Sequence, residues 1–375
     1  MKKKIRNAFL AASLVALGFQ AEAQITVAPS NDSDFKLKFV GRTNLDAGTF
    51  LNRNNDGHVD NAMVIGDTRL GFVGTYQKWE GKVEICYTNE GKISFRDVTI
   101  KYGLNDNNKI TFGNQFMPYG IKLTGINYKF VEDGSVDMAF CPARKVGVNY
   151  LYTTDPLNFS TGFYTNGASD DLKAVNAGFN FAAQLIWRPI YNETTVFHIG
   201  GAFLYTDNAN KEYKISGTTP VSFATGTRPS FSAAYGEVNN SERYEGQMLF
   251  IKSKWLLEAH VMGANINPLG NGDNQSAFGT WGQVSYQIIG DQQKYNKTTA
   301  LPTNSAPGTL EVLARIDYLD LDDYGKQTDF ELGFNYFINK HFNVRLNYVL
   351  ASFKDRPGVD DKAYNALQTR LQFYF

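Results

Sequence analysis

Cationic side chains recur at the polar positions of segments in which polar and apolar residues alternate. They are five arginines and two lysines: Arg42, Arg69, Arg315, Arg345, Arg370, Lys36 and Lys38. Fixed positive charges along one wall attract anions and orient polar solutes without any covalent step. Four carboxylates lie near them in the sequence, at Asp46, Asp67, Glu311 and Asp317. Each arginine could instead pair with such a neighbour and stiffen the wall, and both interpretations stand.

The sequence lacks the residue combinations typical of an enzyme or a metal protein. It has no G-x-S-x-G motif and no convincing Ser/His/acid set. The histidines are dispersed without paired spacing, which argues against a metal site; they are His58, His198, His260 and His341. Asp56, Gly57 and Asp60 resemble a calcium loop only faintly, because the ligand order and the closing Glu are wrong. We expect no catalysis, no metal and no cofactor.

An alternation with period two predicts the elements that hold these charges. Near the end of the chain, the run DFELGFNYF alternates apolar Phe330, Leu332, Phe334 and Tyr336 with polar Asp329, Glu331 and Asn335. This period is typical of β-strands, because successive side chains point to opposite faces. One face is too charged for a packed core and the other too aromatic for water. An all-β, antiparallel transmembrane barrel, apolar outside and wet inside, satisfies both faces.

The first residues have the features of a secretory signal peptide. Basic residues between Lys2 and Arg6 precede an apolar run, and AEA ends at Ala23. We therefore expect residues 1–23 to be removed and residues 24–375 to form one barrel domain. No later stretch reaches the roughly 18 consecutive apolar residues of a membrane helix. Export without such a helix favours the outer membrane of a Gram-negative bacterium over a soluble sandwich. The balance of 37 basic and 37 acidic residues gives no hint of a nucleic-acid partner.

Short and long connections alternate along the chain, as they do in bacterial barrels. The apolar runs give about 16 strands if the run RPSFSAAYG near Ser230 belongs to a loop. The three long connections are residues 117–142, 206–242 and 290–308. Long loops on a rigid scaffold are usually functional or disordered. The 290–308 connection falls on the short-turn side, which indicates either a miscount or a turn with a role inside the barrel.

Several stretches together resemble the phosphate-selective porins of the O and P type. They are GRTNLDAG, DTRLGFVGTYQKWEGKVEI, KISFRDVTIKYG, ITFGNQFMPYGI, AFCPARKVGV and FELGFNYFINKHFNVRLNYV, with RLQFYF at the end. The resemblance implies a 16-stranded homotrimeric barrel whose third loop folds into the lumen as a constriction, matching residues 117–142. A later loop and one turn would narrow the pore as well. Phe375 would be the signal that the barrel-assembly machinery reads.

The resemblance assigns the constriction to charged residues of that third loop. They are Lys122, Lys129, Glu132, Asp133 and Asp137, with Arg144 at the following strand as an anchor. The family's phosphate-selective members line the pore with an arginine ladder and gather lysines near its mouth. Here the later loop offers only scattered Lys211, Lys214 and Arg228, so phosphate specificity does not carry over.

Closure of a barrel pairs the last strand with the first, which makes one wall of the cationic positions. Arg42, Arg69, Arg315 and Arg370 then lie near mid-depth, with Arg345, Lys36 and Lys38 lower. Carboxylates of the inserted loop could face this wall and set a field across the pore. Cys86 lies inward and Cys141 closes the long loop, so either a disulfide pinning that loop or two free thiols is compatible with the sequence.

The leading hypothesis is a passive outer-membrane diffusion channel for small polar or anionic solutes, phosphate among them. The expected partners are outer-membrane lipid, lipopolysaccharide, the assembly machinery and two further copies of the chain. The alternatives are a barrel hydrolase, which needs a triad or paired carboxylates, and a plugged barrel that acts as an adhesin or scaffold and conducts nothing.

Overall fold

A closed antiparallel barrel of sixteen strands accounts for almost the whole described chain. The computed structural model describes residues 34–52, 60–88, 91, 93–121, 129–165, 178–270 and 272–375. The expected signal peptide (1–23), Lys122, and His58 with its surrounding loop lie outside the described residues. The predicted fold class and strand number are confirmed.

The strands are β1 (Phe35–Phe50), β2 (Asn61–Tyr76), β3 (Trp79–Thr88), β4 (Ile93–Gly103), β5 (Asn108–Gln115), β6 (Lys145–Thr153), β7 (Leu157–Tyr164), β8 (Asn180–Tyr191), β9 (Thr195–Thr218), β10 (Ser230–Lys252), β11 (Trp255–Pro268), β12 (Gln275–Ile289), β13 (Tyr295–Asn296), β14 (Leu301–Pro302), β15 (Leu310–Asp320), β16 (Lys326–Phe337), β17 (Phe342–Lys354) and β18 (Lys362–Tyr374). Strands β13 and β14 pair only with each other, outside the barrel sheet. One short helix, α1 (Ser135–Phe140), lies between β5 and β6, and a 3-10 turn spans Asp322–Tyr324.

The two faces of the barrel differ in polarity as the alternation predicts. On β16, Phe334 is 51% exposed on the outer face, whereas Glu331 and Asn335 are fully buried on the inner face. Exposed aromatic side chains cluster at the end with the short turns: Trp79, Trp187, Tyr191 and Trp255. Such residues anchor a barrel at the membrane interface. No helix of the described residues is long and apolar enough to cross a membrane.

The barrel closes where β1 pairs with β18. Asp46 and Arg370 are opposite each other in this register, and their side chains form a bidentate ion pair with both distances at 2.7 Å. The side chains are 0% and 5% exposed, respectively. Two further registers bring predicted cations side by side, Arg42 with Arg69 and Arg345 with Arg370. These registers place Arg42, Arg69, Arg345 and Arg370 near one another across the seam, whereas Arg315 on β15 lies three strands from β18.

Replacing Asp46 with alanine is expected to weaken this seam, because it leaves the buried Arg370 without its carboxylate. Breaking a buried pair by removing one partner typically costs about 3–5 kcal/mol. The urea midpoint of unfolding, followed by the shift in gel mobility, measures this loss. The Lys101→Ala control removes a pair whose side chains are each 36% exposed, and should cost at most about 1 kcal/mol. Equal midpoints for both variants would contradict the prediction.

One predicted connection is corrected. The stretch 206–242, including the run near Ser230, is expected to be a loop, but β9 continues to Thr218 and β10 begins at Ser230. The two strands pair over almost their full length, so only residues 219–229 connect them. The end of this hairpin consists of small and polar residues, so it shows no apolar alternation. It extends beyond the lipid bilayer, where the outer face of a strand does not need to be apolar.

Candidate functional site

The connection between β5 and β6, called here the 117–142 segment, packs against apolar side chains of other strands. Its helix α1 buries Val136, Ala139 and Phe140. The receiving patch consists of buried residues from five strands: Leu204, Ile215, Tyr235, Met262, Ile266, Trp281 and Leu319. The apolar patch gives α1 a place to dock and explains why a helix of only six residues is stable there.

A connected set of polar contacts fixes α1 and the start of the segment. Asp137 accepts hydrogen bonds from Arg315 at 2.8 Å and from Trp281 Nε1 at 3.0 Å. The Arg315 guanidinium lies 4.2 Å from the Trp281 ring centroid, and His260 stacks on the same ring, also at 4.2 Å. His260 Nδ1 is 2.7 Å from Glu245, whose other oxygen accepts the Gly120 N–H at 2.8 Å. Both ends of the segment are thus tied to one polar network.

Side chains of three strands hold the stretch that precedes α1. Lys129 Nζ lies 2.7 Å from Glu311 Oε1. The Lys129 carbonyl accepts a hydrogen bond from Asn335 at 2.7 Å, and the Val131 N–H donates to Asn347 Oδ1 at 2.6 Å. The strands that supply these groups, β15 to β17, stand across the ring from β5 and β6, where the segment begins and ends.

A cavity of about 600 Å³ lies on the other side of the segment, next to β1–β5. Its charged lining residues are Arg69, Arg96, Arg144, Arg228 and Arg370 on the one hand, and Asp46, Asp67, Glu132, Asp133 and Asp137 on the other. The strands supply most of the arginines, whereas the segment supplies Glu132, Asp133 and Asp137. Arginines paired with Asp46 and Asp67 therefore line the strand side, whereas the side of the segment carries three acidic residues, of which Glu132 lies 3.5 Å from Arg228.

Most lining arginines have carboxylate partners within the wall. Arg69 lies 2.9 Å from Asp67 and 3.1 Å from Glu84. Arg144 donates to Asp97 at 2.6 Å and lies 3.9 Å from the Phe116 ring centroid, contacts that suit the predicted anchoring of the segment. These arginines therefore make the carboxylate contacts that the pairing interpretation predicts. Only the charge that the pairs do not neutralise contributes to the electric field across the cavity.

The predicted cationic residues are divided by the segment into two groups. Arg69 and Arg370 line the cavity, and Arg42 pairs with Asp67 at its edge. Arg315 and Arg345 lie beneath the segment, where Arg345 donates to the Phe130 carbonyl at 3.2 Å. Lys36 is exposed and Lys38 half-buried at the short-turn end. Phe375 exchanges backbone hydrogen bonds with Gly41 next to the seam.

Arg96 is a lining residue that the alternation rule misses. The register of β3 and β4 shifts between Val83 and Ile85, so that Arg96 and Asp97 together oppose Glu84. Such a bulge turns two successive side chains to the same face. The sequence does contain a signal: the outward apolar positions change from odd numbers, at Ile93 and Phe95, to even numbers from Val98 onward. Among the described residues, Arg96 has no carboxylate partner and contacts the Cys86 sulfur at 3.4 Å.

Two further connections contact strands far from their own. In the connection between β12 and β15, predicted as 290–308 and here called the 290–309 turn, Tyr295 is 2.9 Å from His198 Nδ1, and the Lys297 carbonyl accepts from Arg188 at 2.9 Å. The strands contacted, β8 and β9, are several places around the ring from β12 and β15. In the 219–229 loop, Val221 and Phe223 pack on inward apolar residues of β1, β17 and β18. Apolar inward positions near the strand ends are the sequence signal for such docking.

The two cysteines are free thiols. Cys86 Sγ lies 2.9 Å from Asp67 Oδ1, and Cys141 Sγ lies 3.7 Å from Asp137 Oδ1. Of the two arrangements that the sequence leaves open, the structure has the unpaired one. Among the described residues, no group of three or more His, Cys, Asp or Glu side chains could hold a metal ion.

Replacing Trp281 with phenylalanine is expected to loosen α1. The variant keeps an aromatic ring beside His260 and Arg315 but loses the hydrogen bond to Asp137. A hydrogen bond to a charged group contributes about 1.5–3 kcal/mol, so the released state becomes about tenfold or more populated. Faster hydrogen exchange of the α1 amides measures the effect, with Trp255→Phe on the outer face as control. Unchanged exchange in the Trp281 variant would contradict the assigned role.

The packing of the segment is also expected to depend on pH. Burial, and then the neighbouring Glu132 and Asp137 carboxyls, raise the pKa of Asp133 well above its usual range. The packed segment therefore holds a proton that the released one loses, so its packing weakens as the pH rises toward the raised pKa. Protease cleavage of the segment should be faster at about pH 9 than at about pH 5, and less pH-dependent in Asp133→Asn. Better protection at alkaline pH would overturn this assignment.

Comparison with known proteins gives one family and several similar barrels. The family model described as phosphate-selective porin O and P matches residues 35–375. OmpT of Vibrio cholerae in its trimer form is similar at 15% identity and a TM-score of 0.59, with 92% of this chain and all of that chain covered. An anion-selective porin from Comamonas acidovorans aligns over 91% of this chain and all of that one, at 13% identity and a TM-score of 0.57.

The outer-membrane channel DcaP of Acinetobacter baumannii is similar at 12% identity and a TM-score of 0.56, over 93% of this chain and all of that one. No curated protein matches the chain. At these identities the solved structures establish the likeness of the barrel alone.

Proposed function

The chain belongs to the phosphate-selective porin O and P family, and on that premise we propose that solutes cross it through the cavity beside β1–β5. It is an outer-membrane porin, a channel through which small solutes diffuse. Three features remain to be assigned: the path of the solute through the barrel, the elements that narrow this path, and the preference for anions or cations.

The 117–142 segment is proposed as the constriction inside the lumen. The single observation that carries this is its reach: a connection that leaves β5 and returns to β6 contacts inward side chains of β15 and β17, on the far side of a closed ring. A chain segment can touch both sides of a ring only by crossing its interior. The segment fills the half of the lumen near β11–β17 and leaves the passage near β1–β5.

The passage is proposed to prefer anions weakly. Five arginines and five acidic residues line it; Asp46 and Asp67 pair with arginines of the strands, and the raised pKa of Asp133 favours its neutral form, so a small excess of positive charge remains on the side of the strands. A transverse field of this kind orients polar solutes and guides anions along the arginine side. Arg69, Arg144 and Arg370 are largely compensated by their partners, which leaves Arg96 as the strongest uncompensated cation of the described lining. This favours a general anion preference over a dedicated phosphate site.

Assembly and targeting complete the proposal. Residues 1–23 would direct export, Phe375 would be read by the barrel-assembly machinery, and three copies would associate in a membrane that contains lipopolysaccharide. The trimeric form of OmpT, a similar barrel, supports the homotrimer. The proposed trimer contact lies on strands β3–β7. These strands have only 8 to 11 residues each, and apart from β15 the other barrel strands are longer.

Conductance of the purified protein in a planar bilayer tests the proposal. We expect steps in groups of three, a reversal potential that indicates a modest anion preference, and little block by added phosphate. Strong block by phosphate would restore the specificity of the family and overturn the weak preference. A silent bilayer would contradict the channel and favour the plugged barrel, and lipase or protease activity in the same preparation would favour the hydrolase.

A further inference from the structure

An apolar groove interrupts the outer face of the barrel over β10–β16. It encloses about 420 Å³. Small residues form its floor: Ala259 and Gly282 are opposite each other in the β11–β12 register, and Ala314 is opposite Val284 in the next. Bulky side chains form its walls, namely Met248, Leu257, Ile316 and Phe330, which are between 39% and 56% exposed.

Gly282 keeps the groove open, although the fold of the barrel does not require a glycine at this position. A Cβ atom built there would meet only the Glu258 carbonyl oxygen, at 3.8 Å, and the residue has no positive φ. Neither steric crowding nor backbone conformation therefore requires glycine at this position. The missing side chain leaves room for something outside the chain.

The depth of the groove places it within the hydrocarbon near one interface. Trp255 and Tyr286, whose ring centroids are 4.5 Å apart, mark the interface at the short-turn end. Leu257 and Ala259 follow Trp255 by two and four residues along β11. At about 3.3 Å per residue and the tilt of barrel strands, they lie about 5 and 10 Å further into the apolar layer. This is acyl-chain depth in the leaflet on the short-turn side.

The turn below the groove is positively charged. Lys252 and Lys254 flank Ser253 between β10 and β11, and Lys252 is opposite Trp255 in the register. Lys252 is exposed and Lys254 half-buried, and in the described part of the chain neither has an ion-pair partner. Cations at this level complement an anionic lipid headgroup, at about 1 kcal/mol for each lysine.

We propose that this groove binds one acyl chain of an anionic phospholipid from the leaflet on the short-turn side, with its headgroup at Lys252 and Lys254. The inference uses the membrane position that family membership gives and does not depend on how solutes cross the pore. Groove shape, depth and charge all indicate the same ligand class. A lipid held here would cover the wall on whose inner side Arg315 and Trp281 secure the 117–142 segment.

Photo-cross-linking tests the site directly. The full-length protein is placed in phosphatidylethanolamine bilayers with a small fraction of phosphatidylglycerol that carries a diazirine on its acyl chain, and the labelled peptides are mapped. We expect label concentrated on β11 and β12. Gly282→Leu fills the groove and should reduce that label about fivefold, whereas Ala183→Leu, on the outer face of β8, should not. Single-channel conductance, which both variants should retain, checks that they fold.

The headgroup is tested separately. With Lys252→Gln and Lys254→Gln together, the advantage of the phosphatidylglycerol probe over a phosphatidylethanolamine probe should fall about fivefold for each lysine. Label spread evenly around the barrel, or unchanged by Gly282→Leu, would overturn the proposal. So would a cross-link from this face to a second copy of the chain. If the unmodified protein does not conduct, the proposed solute path is contradicted, but the lipid site is not affected.

Discussion

Shortening the 117–142 segment is expected to raise the single-channel conductance about threefold and to increase the preference for anions. As the proposed constriction, the segment narrows one side of the lumen, and its described part contributes Glu132, Asp133 and Asp137 to the cavity. Its removal widens the passage and deletes the acidic side of the transverse field. The strand arginines then act on passing ions without an opposing row of carboxylates.

The structure indicates where to cut. A Cβ atom built at Gly120 would lie 2.3 Å from the Cys141 sulfur, so the two ends of the segment meet. A short Gly-Ser linker can therefore replace residues 121–140 without straining β5 or β6. The cut uncovers polar side chains, among them Arg315, Glu311 and Asn347, together with the apolar patch that receives α1, so the gel-mobility shift of the folded barrel is checked before conductance is measured.

A matched control shortens the loop between β17 and β18, whose residues 356–361 are mostly exposed. Its conductance should equal that of the unmodified protein. If the shortened 117–142 variant also conducts as before, the segment is not the constriction. A fall in conductance with intact assembly would place the narrowest point elsewhere, with the 290–309 turn as the next element to shorten.

Replacing Arg96 with glutamine is expected to lower the anion-to-cation permeability ratio about fourfold. A unit charge acting over about 10 Å in water stabilises an anion by about 0.4 kcal/mol and destabilises a cation by the same amount, and the difference of about 0.8 kcal/mol corresponds to that factor. The substitution leaves no buried carboxylate behind, because among the described residues the side chain makes its polar contact with the Cys86 sulfur. Reversal potentials under a salt gradient measure the ratio.

Two companion variants separate charge from shape. Arg96→Lys keeps the charge and should keep the ratio, whereas Lys36→Gln removes a charge at the exposed end of β1 and should change it little. High salt should reduce the difference in permeability ratio between the unmodified protein and the Arg96→Gln variant, because mobile ions screen the field of the arginine. An equal effect of Lys36→Gln would indicate that overall charge, and not this side of the cavity, sets the preference.

The off-centre passage explains why the predicted arginines do not act as one set. Arg315 and Arg345 share the inward face with Arg69 and Arg370, yet the segment covers the first two and leaves the others in the cavity. In the proposed channel, a covered arginine holds the constriction in place and an open one meets the solute. The same residue type at the same kind of strand position therefore performs two different tasks.

The sequence by itself determined the barrel, its two faces, its closure and its family. These follow from local rules: side chains alternate along each strand, and each strand must match both lipid and lumen. The runs around Phe334 and Arg370 carry that information without reference to distant residues. These rules fail where the alternation is interrupted, as at the Arg96 bulge, or where the outer face is not apolar, as in the polar hairpin of β9 and β10.

Only the tertiary structure decided which inward residues face the passage. That depends on where the 117–142 segment docks, and its docking contacts join residues more than a hundred positions apart, such as Asp137 with Trp281 and Lys129 with Glu311. No period or motif encodes such pairs, because they arise from the order of strands around the closed ring. The free state of Cys86 and Cys141 was decided in the same way, by which surfaces the ring brings together.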